Sequence, residues 1–385
     1  MEFCTRIANQ LMLQKIYQKG FSKNIVSSPL SINVVLNMVV AGSKGSTLKR
    51  MLSFLRYKSV DEIHSKSRKM MAMAANGGNG PILNMVNGAW VDQRFPLVPK
   101  YKTEVLKGIF KCEANNVDFR TKANEVVNEI NSWANTASRG LIPTILESVS
   151  PETVLTLANG IYFKGIWHSD YEFVARWTTE RKFYLPDGTS VLVPFMTSRN
   201  DYYYGSFDGC KVLKIPYQSG GPNRFAMYFF LPDERDGLRN LLAKFDSDYG
   251  FLNQENFKLR KENLDEFWIP KFKFSFGFDV SEVMDNMGQS SSFITNPRDL
   301  SEMMHNSEHA PGINTNIIQK AYIEVDEKGT EAAAITCTGI VGCAMPQPKK
   351  SYCFVADHPF LFMIKEEMSG LVLFTGAVLN PIQKD

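Results

Sequence analysis

The sequence predicts an α+β fold, because helical patterns dominate the early chain and strand patterns take over from about residue 150. No long linker, internal repeat or charged tail interrupts it. Residues 1–385 are therefore expected to form a single domain, although that length would also suit two. Apolar residues recur at helical spacing over 5–18, 30–40, 47–54 and 124–138. The run Asn76-Gly77-Gly78-Asn79-Gly80-Pro81 is the strongest breaker cluster and reads as an internal loop before a strand over 82–91. Further strands are expected over 154–163, 211–217, 225–231, 267–278 and 317–325.

A hydrophobic content of 44% and a charged content of 22% are ordinary for a soluble globular chain able to bury a substantial core. The net charge of +3 calls for neither nucleic acid nor an anionic membrane as partner. The basic cluster Lys66, Arg68 and Lys69 reads as a solvated helix face. No apolar run reaches the length of a membrane-spanning helix. The first residues lead into an amphipathic helix and lack the uncharged apolar core of a signal peptide. The six cysteines, at 4, 112, 210, 337, 343 and 353, are scattered and form no Cys-x-x-Cys. Free thiols in a reducing compartment, cytosol or nucleocytosol, are the expectation, with unconventional release from the cell left open.

Catalytic motifs are scarce. His305-Asn306-Ser307-Glu308-His309 fits the His-x-x-Glu-His pattern of a zinc peptidase, which needs both histidines on one helical face. Ala310-Pro311-Gly312 would end such a helix at once, so these are read as chance histidines in a loop. There is no nucleophile elbow or dinucleotide fingerprint, and Gly42-Ser43-Lys44-Gly45-Ser46-Thr47 has the wrong spacing for a phosphate loop. The expectation is a protein that is not an enzyme and holds no metal or cofactor.

The most informative stretch is Val325-Asp326-Glu327-Lys328-Gly329-Thr330-Glu331-Ala332-Ala333-Ala334-Ile335-Thr336. Read with period two, Thr330, Ala332, Ala334, Thr336 and Thr338 share one face, followed by Ile340. Glu331, Ala333, Ile335, Cys337 and Gly339 share the other. The first face is small enough to be buried between closely spaced strands. Glu-Ala-Ala-Ala is equally good helix material. Against a helix stand β-branched Thr336, Thr338, Ile340 and Val341 and the interrupting Gly329, Gly339 and Gly342. Local pattern leaves the two readings level.

Glu327 to Ala334 resembles the hinge of the reactive-centre loop in serpins, most closely the plant ones, and this decides for a strand. The resemblance runs along nearly the whole chain. Asn24-Ile25-Val26-Ser27-Ser28-Pro29-Leu30-Ser31 is similar to the start of the second serpin helix, and Asn159-Gly160-Ile161-Tyr162-Phe163-Lys164-Gly165-Ile166-Trp167 to the central-strand signature. Ile269-Pro270-Lys271-Phe272, Asp357-His358-Pro359-Phe360 and the segment from Phe374 to Pro381 follow in family order.

The resemblance implies three sheets, about nine helices and an exposed reactive-centre loop over about 327–353. It implies a suicide-substrate inhibitor of serine or cysteine proteases, a monomer capable of loop–sheet polymers, whose partner is the target protease in a covalent acyl-enzyme. The alternative is a non-inhibitory serpin with a binding or storage role. Counting along the family pattern puts the scissile bond at Cys343-Ala344, flanked by Ile340, Val341, Gly342 and Met345. Many plant members have Arg where this chain has Cys343. The small neutral residue suits elastase- or chymotrypsin-like pockets, whereas cleavage one residue earlier, after Gly342, would suit papain-like enzymes. The implied hinge is Glu327, Lys328, Gly329, Thr330, Glu331, Ala332, Ala333, Ala334, Ile335 and Thr336. Ser28, Ser31, Asn159 and Gln319 match the polar cluster beneath the opening sheet, with Gln319 standing where the family usually has His. Trp167 and an ion pair between Lys271 and Glu327 match the point where the loop first enters.

Overall fold

A computed structural model of the chain describes residues 2–75, 80–207, 209–247, 258–287, 296–310, 314–330 and 351–383. In chain order its elements begin with α1 (Glu2–Tyr17), β1 (Ile25–Ser27), α2 (Pro29–Ala41), α3 (Gly45–Leu55), α4 (Val60–Ala75), β2 (Ile82–Asp92) and β3 (Cys112–Val117). Then come α5 (Phe119–Ala137), β4 (Thr153–Ile166), β5 (Thr179–Tyr184), β6 (Ser190–Met196), β7 (Asp201–Phe207), β8 (Cys210–Pro216), β9 (Phe225–Pro232) and α6 (Leu238–Ser247). The last part carries β10 (Arg260–Asn263), β11 (Glu266–Pro270), β12 (Phe272–Asp279), α7 (Val280–Asn286) and β13 (Asn314–Val325). It ends with β14 (Gly329–Thr330), β15 (Cys353–Val355), β16 (Phe360–Glu366) and β17 (Leu371–Val378).

The strands form three sheets among the described residues. A seven-stranded sheet has the order β1-β17-β16-β9-β8-β7-β10, and a four-stranded one β15-β11-β6-β5. The six-stranded sheet runs β12-β13-β4-β2-β3, with β14 added on β4. Aromatic side chains fill the space between the six- and seven-stranded sheets: Phe163 of β4 meets Phe374 of β17 at 6.3 Å, and Phe272 of β12 meets Phe362 of β16 at 5.7 Å. The other face of β2 and β4 lies under α5, where the Trp90 ring meets Trp133 edge-on at 5.0 Å and its Nε1 donates to Glu129 at 3.1 Å. No helix among the described residues is long and apolar enough to cross a membrane.

α2 is buried from Pro29 to Val40, as its apolar sequence on all sides requires. Its start is fixed by Ser28, whose Oγ accepts from Ser31 N at 3.1 Å, and by Pro29 in the first turn. The helices and strands read from periodicity are present, with one correction. The single strand expected over 267–278 is two, β11 in the four-stranded sheet and β12 in the six-stranded one. Pro270 has no N–H to donate to a ladder, so the chain changes sheets there and leaves Lys271 at the junction. The segment around the two neighbouring histidines is a 3-10 turn, Ser307–His309, entered through a left-handed Asn306 at φ 58°. It is no α-helix, and no group of three or more His, Cys, Asp and Glu residues able to hold a metal occurs among the described residues.

β17 packs so closely on β1 that a Cβ on Gly376 would lie 2.3 Å from the Ile25 carbonyl oxygen and 2.5 Å from the Phe362 ring. Gly376→Ala is therefore expected to destabilise the fold by roughly 1–3 kcal/mol through overpacking. A drop of several degrees in calorimetry would show this; an unchanged midpoint would mean that the two strands part freely.

Candidate functional site

β4 and β13 run parallel and pair directly from Asn314 opposite Thr153 up to Tyr322 opposite Tyr162. Above that point the last residues of β4 turn to a different partner. Thr330 lies opposite Gly165 and Gly329 opposite Ile166, antiparallel. The chain reaches this position by a tight reversal after β13, closed by Asp326 pairing with Gly329. Asp326 Oδ1 accepts from Lys328 N at 2.9 Å and from Gly329 N at 3.2 Å. Gly329 and Thr330 are thus the first two rungs of a strand that starts at the head of the sheet. Only glycine fits the first rung: its φ is +149°, and a Cβ there would lie 1.9 Å from the Gly165 carbonyl oxygen.

Thr330 is fully buried on the inner face, and its hydroxyl lies 2.8 Å from the Tyr217 hydroxyl. The Tyr217 ring stacks on Trp167 with centroids 4.6 Å apart and planes 15° apart. Trp167 is itself fully buried; its indole Nε1 donates to the Asp326 carbonyl at 3.0 Å and its backbone N to the Lys328 carbonyl at 2.9 Å. Lys271, held at the junction between β11 and β12, reaches Glu327 Oε2 at 2.8 Å, and Thr178 Oγ1 donates to Oε1 at 2.7 Å. Burial pushes the Glu327 carboxyl up, but the hydrogen bonds from Lys271 and Thr178 outweigh it and hold its pKa below the ordinary 4.5.

Further down the same strands lies a buried polar row. Asn87 of β2, Asn159 of β4 and Gln319 of β13 stand side by side in the ladder register. Ser31 Oγ donates to Asn159 Oδ1, Asn159 Nδ2 donates to Asn87 Oδ1 at 2.6 Å, and Asn87 Nδ2 donates to the Phe110 carbonyl at 2.8 Å. Gln319 Oε1 accepts from Ser27 Oγ at 3.3 Å, while its Nε2 has no partner among the described residues. Ser28 joins this group only indirectly, through its capping of α2.

The structure therefore brings Ser31, Asn159 and Gln319 together in one row, and Trp167, Lys271, Glu327, Lys328, Gly329 and Thr330 together at the head. Glu331, Ala332, Ala333, Ala334, Ile335 and Thr336 lie outside the described residues, as do Ile340, Val341, Gly342, Cys343, Ala344 and Met345. Sequence reading missed Asn87, Thr178 and Tyr217. A buried Asn in an otherwise strand-forming run is a usable signal for Asn87; nothing local marks the other two. Among the described residues no disulfide joins Cys4, Cys112, Cys210 and Cys353 to one another.

The serpin family model, described as serine protease inhibitor, matches residues 2–381. Serpin-ZX of Arabidopsis thaliana is 42% identical over 368 residues, covering 94% of this chain and 93% of its own. Serpin-ZXA of Oryza sativa subsp. japonica is 38% identical over 387 residues, covering 99% and 96%. The structure of Arabidopsis AtSerpin1 in its native stressed conformation matches at a TM-score of 0.85 and 39% identity, covering 100% of both chains.

The gate at Glu327 carries a pH dependence of defined sign. A carboxyl with a depressed pKa stabilises its ionised contacts fully above about 4.5 and loses that contribution as pH falls through the lowered value. Glu327→Gln should therefore show at pH 7 the faster heat-induced loss of monomer that the wild type shows only in acid. Lys271→Glu should accelerate that loss further, by placing like charges 2.8 Å apart where an ion pair now stands. Light scattering during heating checks both; monomer lifetimes equal to wild type would count against the gate.

Proposed function

The chain belongs to the serpin family, and we propose that it is a suicide-substrate inhibitor whose hinge enters the six-stranded sheet between β13 and β4 after a protease cuts the bait bond. In this reading the protease nucleophile attacks the carbonyl of Cys343, the amine of Ala344 leaves, and the resulting acyl-enzyme is carried along as the freed hinge becomes a central strand.

The observation that carries the reading is the pairing of Gly329 and Thr330 with the end of β4, a strand already begun in the orientation that insertion needs. Two separate registers extend it. Stepping on from Thr330 opposite Gly165 brings Thr336 opposite Asn159. Stepping on from Asp326 opposite Gly329 brings Thr336 opposite Gln319. Both would bring the same hydroxyl into the polar row, where Gln319 Nε2 has no partner among the described residues. Thr330 faces inward, so period two turns Ala332, Ala334 and Thr336 inward as well. Ala332 would meet Phe163 and Ala334 would meet Ile161, both of them buried on the inner face. Glu331 would fall on the outer face opposite Lys164, a favourable cross-strand pairing. Ile335 would fall opposite Gly160 beside Ile142, where an apolar side chain is tolerated.

The driving force is adequate. Roughly a dozen new ladder hydrogen bonds, at about 0.5–1.5 kcal/mol each, supply on the order of 10 kcal/mol. That is comparable with the whole stability of a typical domain, about 5–15 kcal/mol. The uncut form is then a kinetic trap. The bait sequence favours elastase- or chymotrypsin-like serine proteases when cleavage follows Cys343, and papain-like cysteine proteases when it follows Gly342.

Incubation with elastase, chymotrypsin, trypsin and papain, followed by denaturing gels and the mass of the released C-terminal peptide, tests the reading. A gel-stable covalent band with one of them is expected, and the peptide mass fixes the bond. Cleavage without a covalent band and without a large rise in melting temperature would overturn the inhibitory mechanism in favour of a non-inhibitory serpin. Ala334→Arg should fold as the wild type and be cut at the same bond. It should yield at least about tenfold less complex, because a buried unpaired guanidinium costs several kcal/mol. Undiminished complex would show that the inward face does not enter the sheet.

A further inference from the structure

A cleft of about 610 Å³ opens between the start of α1, the end of α3 and the outer side of α4, far along the chain from the hinge. We infer that it is a binding site for an anionic amphiphile: a molecule with an alkyl-chain or aryl-sized apolar tail and a single acidic head. The volume lies within the range of ligand pockets, about 300–1,000 Å³. Its floor is apolar, with Phe3 buried and Phe54, Met70, Met73 and Leu371 partly exposed. Phe3 and Phe54 stack there with centroids 5.6 Å apart, and Met70, Met73 and Leu371 complete it. Methionine pairs of this kind adapt to tails of different shape.

The rim is cationic. Arg56, Lys66 and Lys69 face the cleft, with Glu2 as the one lining acid. Glu2 pairs with Arg56, and Lys66 pairs with Glu62 at 2.8 Å on α4. Both pairs are solvent-exposed, and such pairs are weak and readily exchanged. Lys69 has no ion pair among the described residues and is the head group's first partner. Lys66 Nζ stands 5.0 Å over the Tyr57 ring, so its charge lies against the wall of the cleft. Tyr57 is anchored from behind, its hydroxyl donating to Asn33 Oδ1 of α2 at 3.1 Å. The wall is built before any ligand arrives, which lowers the ordering required on binding. A tail-less polyanion would leave the Phe3–Phe54 floor uncovered, and a bare alcohol would leave Lys69 unmatched; only the two features together select the amphiphile.

The test is titration of the full chain with dodecanoate kept below its micellar concentration, by calorimetry. Saturable one-to-one binding is expected, with a rise in melting temperature. Lys69→Glu should weaken it by about tenfold through the head. Met73→Gln, at a partly exposed position and checked for an unchanged melting temperature without ligand, should weaken it through the tail. Dodecanol and dextran sulfate are the two controls. Failure to saturate would overturn the proposal. Dodecanol binding as tightly as dodecanoate would reduce the site to an apolar patch, and displacement of dodecanoate by dextran sulfate with Met73→Gln unaffected would make it a polyanion surface.

Discussion

The contact between β4 and β13 is parallel and is flanked on both sides by antiparallel pairings, β2 on β4 and β12 on β13. Parallel ladders have slanted hydrogen bonds and are somewhat weaker per residue; the sheet has two of them, β13 on β4 and β3 on β2, and the first is the seam that β14 stands above. The seam is closed by few specific contacts. Asn159 ties β4 to α2 through Ser31 and to β2 through Asn87, while Gln319 ties β13 to Ser27 at the end of β1. Both strands are thus tied to the same β1–α2 segment, and opening the ladder between them must loosen at least one of these bonds.

That arrangement accounts for where the hinge stands. Above Tyr162 the β4 backbone still needs a partner, because unpaired buried amides are costly. β14 supplies it for two residues and then stops at the seam. Trp167 and Tyr217 hold this short strand from within, and Lys271 with Thr178 hold the Glu327 carboxylate above it. Among the described residues Gln319 Nε2 has no hydrogen-bond partner, and a buried donor left so costs about 1–3 kcal/mol. On the proposed mechanism the Thr336 hydroxyl removes that cost, so the side chain standing in for the usual histidine would favour insertion once the strand arrives.

Much of this was readable from periodicity. The buried strands Phe225–Pro232 and Asn314–Val325 announce themselves as apolar runs, and period two put Thr330 on the small, buried face once the family resemblance had decided for a strand. The misreading over 267–278 has a physical source. Strand-forming residues run on through Ile269-Pro270-Lys271-Phe272, and the change of sheet shows only as a slip in the phase of the alternation, from Phe267 and Ile269 to Phe272 and Phe274, and as the missing proline N–H. Lys271 could be matched to Glu327 by family pattern, yet its geometric role depends on that change, since it bonds Glu327 from the junction. Thr178 and Tyr217 could not be found locally, because each reaches the hinge from a different sheet or loop and carries no motif. The bait residues were legible as a pattern only, and they lie outside the described residues.

On the proposed mechanism, gate and polar row are separate barriers. Thr330 stands opposite Gly165, and Asn159 of the row lies six positions away along β4, a distance of about 20 Å in an extended strand. Their chemistry differs as well. The gate holds Glu327, a carboxylate whose ionised form is stabilised by Lys271 and Thr178, so its strength falls in acid. The row is built from Ser27, Ser31, Asn87, Asn159 and Gln319, none of which titrates between pH 2 and 12. With Gln319 where a histidine would stand, protonation can loosen the first barrier and leave the second untouched. Acid should then let the hinge begin to enter yet not complete the strand, and exposed half-inserted chains of that kind are the ones able to pair with a second molecule at an open sheet.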